Sequence, residues 1–214
     1  MVPKSVTLAA PRRRGRPPRT AQAYGSSREA LIRVGVALLA EKGYSATGLD
    51  EVLRGAGVPK GSFYHYFASK DAFGSALIDA YADYFARKLD RWFLDGSAAP
   101  LDRLRNFMAD ASAGMARYDF RRGCLVGNLG QEMSALPEPF RDRLHNVLLD
   151  WQERTELCLR EAQAVGDIAA DADCKALAAF FWIGWEGAVL RAKLERRPDP
   201  LALFANLFLI CLAR

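Results

Sequence analysis

At 214 residues the chain is long enough for one or two domains and too short for a large multidomain enzyme. Half of it is hydrophobic and 26% is charged, which supports a buried core and excludes a chain disordered throughout. The net charge of +5 conceals an asymmetry: residues 1–75 hold twelve Lys/Arg against five Asp/Glu, a balance of +7, and the remainder sums to −2. A basic front half points to a polyanionic partner. The four cysteines form no CxxC pair and only His65 and His145 accompany them, so neither a zinc module nor another metal site is expected. The longest apolar run, Ala176 to Trp185, is about half a membrane span, and the Arg-rich start lacks the apolar core of a signal peptide. These features predict a cytoplasmic protein with reduced thiols, no cofactor and no membrane partner.

Residues 1–27 are rich in Arg and Pro without apolar periodicity and read as a flexible basic arm. From Arg28 onward the helical period dominates. Ser26 or Ser27 is expected to cap a first helix ending near Lys42, with Leu31, Val34 and Leu38 on one stripe. Thr47-x-x-Asp50 predicts the start of a second helix, whose Leu49, Val52, Leu53 and Ala56 share one face. Gly55 and Gly57 then break the chain before a short third helix over Lys60–Tyr66. Ser69 caps a long fourth helix to Asp95, with Phe73, Leu77, Tyr81, Tyr84 and Trp92 as its inner stripe. Later helices are expected over Leu101–Tyr118, near Gly127–Leu136, and over Glu138–Val165, Asp173–Arg196 and Pro200–Ala213. The fold class is therefore all-α: a three-helix helix-turn-helix unit over residues 28–75, and a helical ligand-binding and dimerisation unit over 76–214.

Two short helices around a Gly-containing turn form the element that lays one helix in the DNA major groove. Lys60-Gly61-Ser62-Phe63-Tyr64-His65-Tyr66-Phe67 interleaves hydroxyl, aromatic and basic groups suited to phosphates and base edges. By spacing alone, a plain helical hairpin with core aromatics reads equally well. The residues themselves decide. Ala56-Gly57-Val58-Pro59 followed by Lys60–Phe67 and Ser69-Lys70-Asp71, with Glu41-Lys42-Gly43-Tyr44, Thr47 and Asp50-Glu51-Val52 upstream, resembles the signature of the TetR family of bacterial repressors. That resemblance implies an all-helical homodimer on a double-stranded DNA operator, released by a small molecule. It further implies that Thr47, Tyr64, Tyr66 and Lys70 hold phosphates, that Lys60, Ser62 and His65 approach base edges, and that Phe63 and Phe67 pack inward.

The body resembles a narrower group. Phe120 to Glu132, with its Gly123-Cys124-Leu125-Val126-Gly127-Asn128-Leu129 core, and Phe181 to Ala188 are similar to TetR-type repressors responsive to acrylate and dimethylsulfoniopropionate. The Gly-Cys-x-x-Gly-Asn-Leu segment also occurs in sensors of reactive electrophiles, which leaves a cysteine-based sensor of electrophiles or oxidants as the alternative. Cys124, Asn128, Gln131, Trp182, Trp185 and Glu186 are the candidate effector-binding residues, against the plainer readings of core tryptophans, a Glu186–Arg191 pair and a buried thiol. In the arm, Arg14-Gly15-Arg16-Pro17 resembles an AT-hook core. There glycine lets the backbone enter a narrow minor groove and Arg14 and Arg16 meet its negative potential; a solvated basic tail is the other reading. The last two helices are apolar around much of their circumference, as a dimer interface requires. No P-loop, GxSxG, Rossmann or HExxH pattern is present, so no enzyme is expected.

Overall fold

The computed structural model describes residues 21–212, and its regular elements are all helical. They are α1 (Ala21–Lys42), α2 (Leu49–Ala56), α3 (Lys60–Phe63), α4 (Lys70–Phe93), α5 (Pro100–Ala116), α6 (Leu125–Gln131), a 3-10 turn (Met133–Ala135), α7 (Pro139–Ala164), α8 (Cys174–Glu195) and α9 (Asp199–Leu212). The first three pack together and against the start of α4. Helices α4, α5, α7 and α8 form the body, α9 lies along α8, and α6 touches α1, α4 and α7. The proposed arm residues Arg14 and Arg16 lie outside the described residues.

Several boundaries differ from expectation for identifiable reasons. Helix α1 begins at Ala21, so Ser26 and Ser27 lie inside it rather than capping it, and residues 21–27 belong to the helix rather than to the arm. Helix α2 starts from Gly48, not Thr47. The Thr47 hydroxyl instead donates to the Gly43 carbonyl at 2.6 Å and the residue is 4% exposed. Helix α3 is only Lys60–Phe63, because the chain continues as tighter turns in which His65 N–H bonds to Ser62 O and Tyr66 N–H to Phe63 O. The turn between α2 and α3 is as read: Gly57 has φ 64°, a left-handed conformation that glycine adopts without steric cost. Ser69 caps α4, its hydroxyl accepting from Ala72 N–H at 3.0 Å.

Two aromatic clusters organise the packing, one seating the small unit on α4 and one filling the body. Phe63 and Phe67 are buried against Phe73 of α4, which fixes the short helix pair on the long one. In the body, the tilted rings of Trp151 of α7 and Trp182 of α8 pack on each other at 4.8 Å, beside Phe85 and Phe107. The Trp182 indole N–H donates to Trp151 O at 3.0 Å and to the Thr155 hydroxyl at 2.9 Å, satisfying a polar atom in the middle of the core. The inner stripe of α4 runs Phe73, Leu77, Tyr81, then Phe85, Leu89 and Phe93, in steps of four. Tyr84 lies off it, 55% exposed. A four-residue step drifts slowly around a 3.6-residue helix, so α4 buries a changing face as it passes from the small unit into the body.

The far end of α4 is fixed by one buried cation. Arg103 donates to Phe93 O at 3.0 Å and Ala98 O at 2.9 Å, and pairs with Glu161 of α7 at 2.6 Å. Replacing it with alanine strands two carbonyls near the end of α4. Arg103→Ala should cost about 2–3 kcal/mol. Chemical denaturation followed by circular dichroism would read this; an unchanged midpoint would remove Arg103 from the account.

Candidate DNA interface and effector cavity

The short helix pair presents a mixed face. Lys60, Tyr64, His65 and Lys70 are exposed, Tyr64 to 64%, while Ser62 and Tyr66 are half-buried. Lys60 is held by Asp50 of α2 at 3.0 Å, and Lys42 pairs with Glu51, so α2 is tied to both of its neighbours by exposed ion pairs. The Lys70 ammonium stands 4.5 Å above the Tyr44 ring, whose hydroxyl donates to Asp71 at 2.7 Å. These contacts set Lys70 at the start of α4 with its charge outward. Thr47 is the exception among the predicted phosphate ligands. Its only hydroxyl proton is committed to Gly43 O, so it shapes the turn before α2 rather than facing solvent.

In the body, α4, α5 and α8 surround a cavity of about 800 Å³, with α1 at its edge. Tyr81, Phe85, Cys124, Trp185 and Glu186 line its inner end, and Arg33, Arg87, Arg91 and Arg117 are exposed side chains around it. A smaller hollow of about 290 Å³ adjoins it through Gly123, Cys124 and Glu186, and takes in Asn128, Gln131 and Lys193. The six effector candidates therefore divide. Cys124 and Glu186 border both spaces, Trp185 the larger, and Asn128 and Gln131 the smaller. Trp182 lines neither, its indole being spent on the core.

The inner end is a cluster of proton-bearing groups. The Tyr81 hydroxyl lies 3.8 Å from the Cys124 sulfur, and the Glu186 carboxyl adjoins that thiol. Burial pushes Glu186 up to about 7, against a smaller lowering by the Cys124 thiol. Burial, then the neighbouring Glu186 charge, holds the Cys124 thiol well above its ordinary range. At neutral pH the sulfur is therefore a thiol rather than a thiolate. Glu186 makes no pair with Arg191, which is engaged by Glu195. Where Glu186 approaches α6, Gly127 leaves the room; a β-carbon there would overlap its carboxylate.

Helix α6 joins this cluster to the small unit. Cys124 is its N-cap residue, the sulfur accepting from Gly127 N–H at 3.5 Å. One turn on, the Asn128 amide donates to Leu39 O at 2.9 Å and Ala40 O at 2.8 Å, two carbonyls in the last turn of α1. The Asn128 oxygen accepts from Lys193 of α8 at 3.2 Å, and Gly123 N–H donates to Ala40 O at 3.0 Å. At the other end of α6, Glu132 accepts from Tyr44 N–H at 3.1 Å and Ser45 N–H at 2.8 Å. Gly43 makes that seat possible: its φ is 81°, and a β-carbon would occupy the place of the Glu132 carboxylate. Sequence reasoning assigned Asn128 to the effector and missed Glu132. Neither residue carries a local signal, because their partners lie 87–89 positions away.

Comparison with known proteins agrees with this organisation. Residues 31–77 match the family model for bacterial regulatory proteins of the tetR family, and residues 100–208 match that for the tetracyclin repressor-like C-terminal domain. The chain is 62% identical over 196 residues to the transcriptional regulator AcuR of Cereibacter sphaeroides, covering 92% of this chain and 89% of AcuR. It is 35% identical to the repressor DhaR of Mycobacterium sp. (strain GP1), over 83% of this chain and 87% of DhaR. A crystal structure of a regulatory protein TetR from Rhodobacter sphaeroides superposes with a TM-score of 0.84 at 63% identity, covering 86% of this chain and 97% of that one. The chain belongs to the TetR family of transcriptional regulators: it is a repressor with a helix-turn-helix DNA-binding unit, and not an enzyme. Among the described residues, no helix is long and apolar enough to cross a membrane.

The clamp on α1 makes a specific prediction. Asn128→Asp replaces two donors with a carboxylate aimed at two carbonyl oxygens. Operator affinity should fall about tenfold, roughly the 1.4 kcal/mol of one charge-sensitive contact, while cavity ligands still bind. Fluorescence anisotropy on labelled operator, beside calorimetry of ligand binding, separates the two effects; equal losses in both would mean only that the variant misfolds.

Proposed function

We propose that the protein is a dimeric, effector-released repressor of a palindromic operator, with residues 28–75 as the reading unit and 76–214 as the effector and dimerisation unit. The observation that carries this reading is α6, whose first turn borders the cavity and whose side chains hold the last turn of α1. Lys60, Ser62 and His65 address base edges, and Tyr64, Tyr66 and Lys70 hold phosphates. The arm places Arg14 and Arg16 in the flanking minor groove.

Dimerisation through α8 and α9 is supported by the apolar side chains those helices leave in solvent. Ile183 is 73% exposed, Leu194 70% and Leu203 62%, with Phe180, Leu207 and Ile210 also exposed. An apolar surface spread over two adjacent helices is what an isologous four-helix contact buries. The effector is acrylate or dimethylsulfoniopropionate, or a close chemical relative, as the sequence resemblance implies. Binding is reversible rather than covalent, since a protonated Cys124 thiol is a weak nucleophile toward an acrylate anion. Effector binding releases the operator by favouring a second arrangement of α4 and α6, to the extent of its differential affinity for the two.

Two measurements test the reading. Operator binding followed across a salt series should be steep, and Lys70→Gln should reduce the slope of log affinity against log salt by about one unit on every sequence. An unaltered slope would take Lys70 out of the interface. Cys124→Ser should remain inducible by acrylate with altered sensitivity, and the intact mass of the wild-type protein should show no adduct. A stoichiometric acrylate adduct on Cys124, with induction lost in the serine variant, would favour the electrophile-sensor alternative.

A further inference from the structure

Tyr44 stands where the body and the DNA-facing unit meet. It follows Gly43 in the turn from α1 to α2, and its carbonyl accepts from Thr47 N–H at 3.1 Å. It is 7% exposed, and α6, α7 and α4 all hold it. From α6, Glu132 accepts its backbone N–H at 3.1 Å. From α7, Phe140 meets its ring edge to face, with the centroids 5.2 Å apart. From α4, Gly74 leaves the room for both rings: a β-carbon there would stand 2.7 Å from Tyr44 and 2.5 Å from Phe140, closer than packed atoms come. The ring therefore has one seat, and Glu132 fixes the backbone that carries it there.

The far side of the ring works on the start of α4. Its hydroxyl donates to Asp71 at 2.7 Å, and the Lys70 ammonium stands 4.5 Å from its centroid. Burial, then the hydrogen bond to Asp71 and its charge, hold the phenol well above its ordinary range, so the proton stays on Tyr44. Lys42 and Lys60 are engaged by Glu51 and Asp50, whereas Lys70 enters no ion pair among the described residues. A lysine side chain is flexible, and an aromatic face restrains its ammonium without neutralising the charge. Lys70 thus offers a full charge from a fixed place. We infer that Tyr44 is the positioning residue that sets Lys70 for a phosphate and makes that setting depend on α6. This rests on the proposed roles of Lys70 at the operator and of α6 beside the effector cavity, and it assigns the joint between them to one side chain.

The test uses the full-length protein and labelled operator, with and without saturating acrylate. Tyr44→Leu should weaken operator binding about tenfold, since a dimer carries the contact twice. In Lys70→Gln protein the same substitution should cost less than about threefold, because the ammonium it positions is already gone. Tyr44→Phe keeps the ring and should retain the coupling to Lys70. A trifluorinated phenylalanine in place of Tyr44 keeps the shape but withdraws charge from the ring face, and should lose most of that coupling. This comparison decides the matter even where the leucine variant fails to fold. With acrylate bound, the cost of Tyr44→Leu should shrink to about threefold or less, so that the ratio of effector-free to effector-bound affinity narrows. A purely structural Tyr44 would weaken both backgrounds and both ligand states equally, and that result would overturn the inference. Equal coupling from phenylalanine and its fluorinated form would overturn the role of the ring toward Lys70. A cost undiminished by acrylate would overturn the dependence on α6 and leave the proposed function standing. Failure of acrylate to release the wild-type protein would bring down the proposed effector, while the Lys70 cycle, which needs no ligand, would still decide the positioning role.

Discussion

The structure depends on the hold that α6 keeps on the last turn of α1. The C-terminal carbonyls of a helix have no partner within it, and any group that supplies donors there fixes where the helix ends and how the chain leaves it. Asn128 and the Gly123 backbone supply those donors from the body, and Glu132 accepts from the two N–H groups just beyond. The exit from α1 toward α2 is thus fitted by residues of another unit. The Thr47 bond to Gly43 O follows directly on that exit, while the Phe63–Phe73 contact seats the Lys60–Lys70 segment on α4. The same helix begins at Cys124, which borders the cavity, so α6 has one end at each site separated by about two turns.

The cavity and the core make opposite uses of similar residues. Trp182 and Trp185 are three positions apart on α8 and both are about 2% exposed. Trp182 gives its N–H to α7 and belongs to the packed interior, whereas Trp185 forms a wall of the open space. On α4 adjacent residues take different places: Phe85 packs on Trp151 and also lines the inner end of the cavity, while Tyr84 turns outward beside it. A helix crossing between a close-packed cluster and a void has a face for each, and one residue of rotation, about 100°, decides which a side chain joins.

That geometry explains which parts were legible beforehand. The α2–α3 turn was readable because glycine at a left-handed position and an i, i+3, i+4 apolar stripe are local facts, whereas the inward packing of Phe63 and Phe67 followed from the family resemblance. Helix existence and order followed from periodicity. The cap of α2 was misplaced because Thr47 has a competing acceptor four residues upstream, and a hydroxyl bonded within the preceding turn leaves no cap. Asn128 reads as an effector-binding amide on the strength of the Gly123–Leu129 segment, and it borders the smaller hollow. Its partners are carbonyls of a helix nearly ninety residues earlier, and backbone need of that kind leaves no trace in composition. Glu186 reads as an effector-binding residue, with a surface pair to Arg191 as the plainer alternative; it borders both hollows and lies against a thiol, in space left by the absence of a side chain at Gly127.

How a ligand at the inner end would reach the reading unit follows from what is rigid and what is not. Helix α4 is fixed at one end by the Phe63–Phe67–Phe73 cluster and at the other by Arg103, so it moves as a rod or not at all. Helix α6 is short, borders the hollow beside Cys124, and is attached to α8 through the Lys193–Asn128 hydrogen bond. Close-packed interiors switch between discrete arrangements rather than deforming smoothly. A ligand that displaces Glu186 or Cys124 therefore acts first on the small helix, whose hydrogen bonds are few and directional. In the release proposed above, loss of the Asn128 and Glu132 bonds at the end of α1 would be passed on through α1 and α4, which pack together. The sensitivity of the device thus resides in a handful of polar contacts at a helix terminus, while the apolar core gives them a fixed frame to act against.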